Sequence, residues 1–314
     1  MTATPVAPSA TVVVLATASA SAAPAASASA VASAGPAASS AAPVGSAAPR
    51  EAPEGMALVP GGDFMMGADD EGELDERPAH KVTLAPFFLD LTEVTNEAYG
   101  KCVDAGACRA HDADSARINK VGEDRAFRHP KQPISAVSWD DALGYCRRLG
   151  KRLPTEAEFE KASRGTDRRK YPWGNEFPNR KRSVFGEATT ADVGSRPDGN
   201  GPYGHSDLTG NVWEWIADFY DPYAYRRPGA ARGESGTCEQ TLEVFKELRE
   251  NHMQGFTGTN PIPTECEHVL RGGAFNYNAR GLRSSNRVHH PGKFRLIMSG
   301  FRCAMDASAS GQQN

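Results

Sequence analysis

The chain has 314 residues, with 35 Lys and Arg against 39 Asp and Glu, a formal net charge of −4 and 39% hydrophobic residues. That length admits one large domain or two ordinary ones, and the slightly acidic balance lacks the basic excess a nucleic-acid interface needs. No run of about 18 apolar residues occurs, so the sequence announces no transmembrane segment.

Residues 1–50 contain no acidic residue, no Lys and a single basic one, Arg50, and are almost entirely Ala, Ser, Pro, Val and Thr. Such a tract has too few large apolar side chains to offset its ordering entropy. It reads as a disordered leader or tether over 1–54, ahead of a folded domain over 55–306 and a disordered tail over 307–314. Within it, "TVVVLATASASAA" has the look of a secretory h-region followed by small residues, but the basic n-region of a signal peptide is lacking.

In chain order, "MALVPGGDFMMG" (56–67) alternates apolar and small residues about a Gly-Gly pair, which predicts a short hairpin. "HKVTLAPFFLDLTEVT" predicts a strand broken at Pro86 and leading into an extended edge. Thr95 or Asn96 caps a helix running to about Val103 and ending near Gly106. Ser138 with Asp141, and Thr155 with Glu158, have the spacing of capping boxes and open two further helices that end at Gly150 and Gly165. Residues 221–265 read as an insertion with one amphipathic helix, "QTLEVFKELREN". Short strands are expected again at "HVLRGGAFN" and "SGFRCAM". The class is α+β with a large irregular fraction.

The six cysteines, Cys102, Cys108, Cys146, Cys238, Cys266 and Cys303, form no CxxC, which excludes zinc-ribbon and thioredoxin-type motifs. Their even number beside an Ala/Ser/Pro leader points to disulfides, six buried thiols being the alternative.

Seven segments then become specific in combination. "MALVPGGDFMMG", "FFLDLTEVTNEAY", "PISAVSWDDALGYCRRLGKRLPTEAEFEKASRG", "YPWGNE", "DLTGNVWEW", "LRGGAF" and "GFRCA" occur in one order from Met56 to Met305. Together they resemble the sulfatase-modifying-factor family, the formylglycine-generating-enzyme-like domain. The resemblance implies a variant of the C-type-lectin topology with few regular elements and much loop. It also implies a Cys146–Cys303 disulfide. Cys102 and Cys108 would then form a small local bridge, and Cys238 with Cys266 would pin the insertion.

The resemblance further implies a structural calcium ion at "DLTGNVWEW", held by the side chains of Asp207 and Glu214 and the carbonyls of Gly210 and Val212. Calcium takes six to eight hard oxygen ligands, so mixed carboxylates and carbonyls suit it. The alternative is that Asp207 caps a turn and Glu214 pairs with an arginine. A second family calcium site matches poorly, with only Ser183 and Val184 near the expected positions, and is not carried over.

The oxidases of the family place two cysteines, four residues apart, shortly after their "GGSF"-like strand, where thiolates hold copper(I). Here "GGAF" is followed by "NYNARGLRSSNR", with no cysteine between Cys266 and Cys303. No copper is expected. Nor is iron, because the iron-dependent branch draws histidines from a helical domain that the leader cannot supply. "VHH" at 288–290 offers neighbours that point to opposite sides of an extended chain, and these are read as exposed loop histidines. What the resemblance leaves is a groove for an extended peptide, to which Trp213, Asn276, Tyr277, Arg283, Ser284 and Asn286 correspond. The alternative is that Trp213 is core and Arg283 a structural ion pair. The expectation is an extracytoplasmic, non-oxidase module that binds a peptide, protein or small ligand. A formylglycine-generating oxidase working by another route, or a non-haem iron oxygenase, stands as the second possibility.

Overall fold

The computed structural model describes residues 51–110, 125–234, 236–251 and 262–307. All of them lie in one compact unit, Ala47–Asn314. The expected disordered tether, 1–54, lies outside the described residues as far as residue 50, and the expected tail, 307–314, from residue 308 on.

The fold is α+β with little regular structure. Among the described residues the short strands are β1 Met56–Val59, β2 Gly62–Met66, β3 His80–Leu84, β4 Phe87–Asp90, β5 Trp213–Phe219, β6 Glu267–Arg271, β7 Arg287–Pro291, β8 Ser299–Gly300 and β9 Ala304–Asp306. The α-helices of the described residues are α1 Asn96–Asp104, α2 Trp139–Arg148, α3 Glu156–Arg164 and α4 Cys238–Glu250. The strands form sheets ordered β1-β4-β9, β2-β3 and β7-β6-β5-β8.

The hairpin expected within residues 56–67 does not form. β1 pairs with β4 and β2 with β3, so residues 56–66 are one arm of a long antiparallel ribbon whose other arm is residues 80–90. Both arms break together, at Pro60-Gly61 and at Ala85-Pro86, where proline removes a ladder donor. Gly61 is needed there, because a Cβ would lie 2.9 Å from Pro86 Cδ. Nor is β4 an edge. It runs between β1 and β9, the latter supplied from the far end of the chain.

The helix starts follow the sequence closely. Thr95 caps α1, and both capping boxes close, Ser138 with Asp141 and Thr155 with Glu158. α4 adds a third box, Thr237 with Gln240. Each box satisfies backbone donors that the first turn would leave orphaned. α3 is unusual, since all nine of its residues are buried, five of them charged. α4 joins the core rather than hanging from it: Phe245 and Leu248 are buried, and Phe245 packs against Tyr220 at a ring-centroid distance of 6.3 Å.

One apolar core gathers Tyr99, Tyr145, Trp213, Trp215 and Phe301 between α1, α2 and the four-stranded sheet. A second joins Phe87, Phe159, Ile216, Tyr220 and Phe245 beneath the ribbon. All six cysteines are paired, as Cys102–Cys108, Cys146–Cys303 and Cys238–Cys266.

The histidines of "VHH" are not exposed loop residues. They lie in β7, whose burial alternates, with His289 buried and His290 half-buried. His289 Nδ1 pairs with Glu267 and its ring stacks on Tyr220, 3.7 Å between centroids. β5 was equally unannounced, and it carries the end of the turn expected to bind calcium, Trp213 to Trp215 with Glu214 between them.

Candidate functional site

The "DLTGNVWEW" turn is built on strained backbone. Asp207, Gly210 and Asn211 have φ of 54°, 88° and 60°. Only glycine fits position 210, because a Cβ would come within 2.2 Å of Ser183 Oγ. The turn is sutured to its neighbours: Gly210 N–H donates to Gly272 O (2.8 Å), Asn211 N–H to Val184 O (2.9 Å), and Phe275 N–H to Asn211 O (2.8 Å).

Around the turn sit three buried carboxylates, Glu93, Asp207 and Glu214, and one buried guanidinium, Arg302. Arg302 grips Glu214 with two bonds of 2.7 Å and donates to Ser206 O at 2.9 Å. Glu93 accepts from Asn211 Nδ2 (2.7 Å) and from Val212 N–H (3.2 Å). Asp207 Oδ2 accepts from Gly194 N–H at 2.6 Å. Burial pushes all three carboxyls up from their ordinary range. Glu93 is pushed furthest, with the charges of Asp207 and Glu214 adding to its desolvation.

The other expected ligands separate into two groups. Arg283 and Asn286 both donate to the carboxylate of Glu76, and Ser285 Oγ joins them at 2.7 Å. Ser284 Oγ shares a 2.8 Å bond with Ser163, and its carbonyl accepts from Arg271. Arg283, Ser284 and Asn286 are therefore buried and occupied internally, as is Glu76. Arg283 is a structural ion pair. Behind them a charged network continues inward: Arg271 bridges Glu156 and Glu160, and Arg287 clamps Glu156 through two bonds of 2.6 and 2.9 Å.

Trp213 and Tyr277 do come together, Tyr277 at the surface and Trp213 beneath it. The loop after β6 folds over Trp213, Tyr277 N–H donating to Ala274 O and Asn278 capping the short 3-10 helix Ala279–Leu282. Tyr277 is 36% exposed and sits edge-on to Trp213, with centroids 5.2 Å apart. Trp213 itself is core, only 2% exposed, yet its indole N–H has no acceptor among the described residues. Asn276, the residue before Tyr277, is exposed.

Sequence reasoning missed Glu76, Glu93, Glu156, Glu160, Arg271 and Arg287. Glu156 and Glu160 did leave a local trace, two carboxylates four apart on one helix face. The others are recognisable only from partners far along the chain.

With this geometry in view, comparison with known proteins is decisive at the level of family. Residues 41–307 match the Sulfatase-modifying factor enzyme 1-like domain. The chain belongs to that family. It is 33% identical over 311 residues to the formylglycine-generating enzyme of Streptomyces coelicolor, covering 81% of this chain and 90% of that one. It is also 33% identical over 263 residues to the serine/threonine-protein kinase pkn1 of Chlamydia pneumoniae, covering 79% of this chain but only 37% of the kinase. Among solved structures, PvdO from Pseudomonas aeruginosa superposes with a TM-score of 0.63 at 26% identity, over 80% of this chain and 94% of that one.

Proposed function

We propose that the chain is a non-oxidase member of its family, an extracytoplasmic module that binds a peptide or protein on the face built by Trp213, Asn276 and Tyr277. One observation carries this reading. All six cysteines are spent in disulfides, and residues Asn276–Leu282, where the oxidases keep their thiolates, hold tyrosine, asparagine and arginine instead. Copper(I) calls for soft thiolate ligands, which that loop does not offer. The three disulfides favour an oxidising compartment. Among the described residues no helix is long and apolar enough to cross a membrane.

The calcium expected from the family suits the charge balance of the "DLTGNVWEW" turn. Three buried carboxylates face one guanidinium, and burial disfavours their charged forms. Asp207 and Glu214, with the carbonyls of Gly210 and Val212, would hold the ion, which would supply structural charge and no reaction step. Glu214 would have to share its carboxylate with Arg302. Among the described residues no group of three His, Cys, Asp or Glu is placed to ligate a metal, so such a site depends on the two carbonyls.

The test is elemental analysis of the purified chain together with peptide binding. Calcium without copper or iron, and a peptide affinity that Tyr277→Ala abolishes, would support the reading. Stoichiometric copper or iron, or conversion of a peptide cysteine to an aldehyde, would overturn it.

A further inference from the structure

The Tyr277 face is bordered by a segment whose charge differs from that of the rest of the chain. Residues 168–182 carry Arg168, Arg169, Lys170, Arg180, Lys181 and Arg182 against a single acid, Glu176. The segment reaches the face directly. Arg180 Nη2 donates to Gly186 O (3.1 Å), and Gly186 N–H donates to the carbonyl of Tyr277 (2.9 Å). Lys170 O accepts from Ser284 N–H on the far side of the same loop.

Two observations show what this border attracts. The first is that the chain's own acidic stretch, Asp69–Glu76, already lies along it. Asp69 pairs with Arg168 at 3.6 Å, Glu71 with Lys170, and Glu73 with Arg280. These pairs are solvent-exposed, so each is worth only about 0–1 kcal/mol and exchanges readily. The second is that the hydrogen-bonding capacity left over is mostly donor. Arg180 and Lys181 are exposed and make no ion pair among the described residues, and the buried indole N–H of Trp213 lacks an acceptor. Glu187, half-buried, is the single acid on the 180–187 segment.

We infer that the partner of this face is an acidic peptide segment, its carboxylates engaging Arg180, Lys181 and Arg280 while its backbone passes over Tyr277 toward the Trp213 N–H. A flexible acidic chain fits better than a compact anion, because these cations border an open loop rather than a closed cradle. Carboxylates at such a rim steer association and set specificity more than they add affinity. The inference rests on the peptide-binding reading of the face given above.

The experiment titrates the full-length protein with fluorescein-labelled hexaglutamate, hexalysine, a neutral Ser/Ala hexapeptide and a thymidine hexanucleotide. Hexaglutamate should bind at least about tenfold more tightly than the other three, and more weakly in 300 mM salt, as screened surface charges require. Arg180→Ala with Lys181→Ala should remove most of that preference and lower the melting temperature little, since neither side chain has an ion-pair partner among the described residues and Arg180 gives up only its exposed bond to Gly186 O. If the neutral or basic peptide binds best, with the binding lost in Tyr277→Ala, the acidic class is wrong and the peptide face stands. If the oligonucleotide matches hexaglutamate, the rim is a general polyanion surface and the peptide class falls. If no peptide binds and Tyr277→Ala changes nothing, both readings fall.

Discussion

Arg302 and Glu214 form a closed pair in the interior, joined by bonds of 2.7 Å from Nε to Oε2 and from Nη2 to Oε1, with neither side chain exposed. The pair fastens the last strand region of the chain to the start of β5. It also leaves Glu93 and Asp207 without a full counter-charge nearby. Removing one partner strands the other in a low-dielectric interior, which costs about 3–5 kcal/mol in comparable pairs. Arg302→Met should therefore lose that much in denaturant unfolding, and Arg302→Met with Glu214→Gln should recover part of it. A double variant no more stable than the single would show that the carbonyl contacts of Arg302, and not the ion pair, carry its contribution. Chelator separates the metal from the pair. If calcium binds only the folded state, a hundredfold excess over Kd contributes about 2.7 kcal/mol. EGTA should then lower the melting temperature of the wild type and leave Asp207→Ala unmoved. Equal responses would remove calcium from the turn.

Acid should destabilise the fold through two histidines. His205 is fully buried, and desolvation, then the charge of Arg302, lowers its pKa to about 4 against the opposing pull of the backbone at Leu89 and Ala57. His268 is stacked against Trp139, 3.9 Å between centroids, and against Phe219 at 4.5 Å, and burial lowers it to about 4. Between an ordinary histidine pKa and about 4, the unfolded chain binds protons that the folded chain refuses. Stability therefore falls as pH drops through that window, by up to about 3 kcal/mol per histidine. The carboxyls raised by burial, Glu93 and Asp207 among them, act in the opposite sense. Comparing wild type with His268→Asn isolates the histidine contribution, and the variant should lose about 2–3 kcal/mol less between pH 6.5 and 4.5. Parallel pH profiles would show that His268 is protonated in the fold without penalty.

What the sequence disclosed follows the range of each interaction. The capping boxes at Ser138 and Thr155 were legible because donor and acceptor lie three residues apart. Family resemblance supplied Cys146–Cys303, which no spacing rule gives. The ribbon was misread because Gly61-Gly62 looks like a turn locally, whereas the partner that straightens it, β3 with β4, begins at His80. At the site the difficulty was of another kind. Trp213 and Arg283 are residue types that serve equally as core and as ligand contacts, and only the position of Glu76 decides for Arg283. Glu214 was foreseen as a calcium ligand or an arginine partner. It is bonded to Arg302, 88 positions away.

The disulfides should differ in worth according to the loop each closes. Cys146–Cys303 spans 157 positions and Cys102–Cys108 spans 6. On the chain-entropy account those loops correspond to about 5 and about 2 kcal/mol. Replacing both cysteines of the long bridge by serine should thus destabilise by about 3 kcal/mol more than replacing those of the short one. Intact mass under non-reducing conditions should show the loss of two protons per bridge, and peptide mapping should recover Cys146 linked to Cys303. Six free thiols in protein from its native compartment would sink both the bridges and the extracytoplasmic assignment.

Glu76 is expected to be the residue on which the loop bearing Asn276 and Tyr277 most depends. Its carboxylate receives Arg283, Ser285 and Asn286, all from the segment that returns from that loop to β7, and it is wholly buried. Glu76→Gln keeps the volume and one acceptor oxygen but leaves the Arg283 guanidinium only the more distant carboxylate of Glu73, 4.0 Å away. The loss should exceed about 3 kcal/mol, in the range for a broken buried pair. Arg283→Met added to Glu76→Gln should relieve much of it, because no buried charge is then left alone. Tyr277→Ala, on the exposed side of the same loop, should change stability by less than about 1 kcal/mol, as surface positions usually do. Peptide affinity should show the reverse order, lost in Tyr277→Ala and retained in the relieved Glu76/Arg283 double variant. Should the double variant melt as low as Glu76→Gln alone, the loop is held by the hydroxyl and amide bonds of Ser285 and Asn286, and the Arg283 pair is incidental to it.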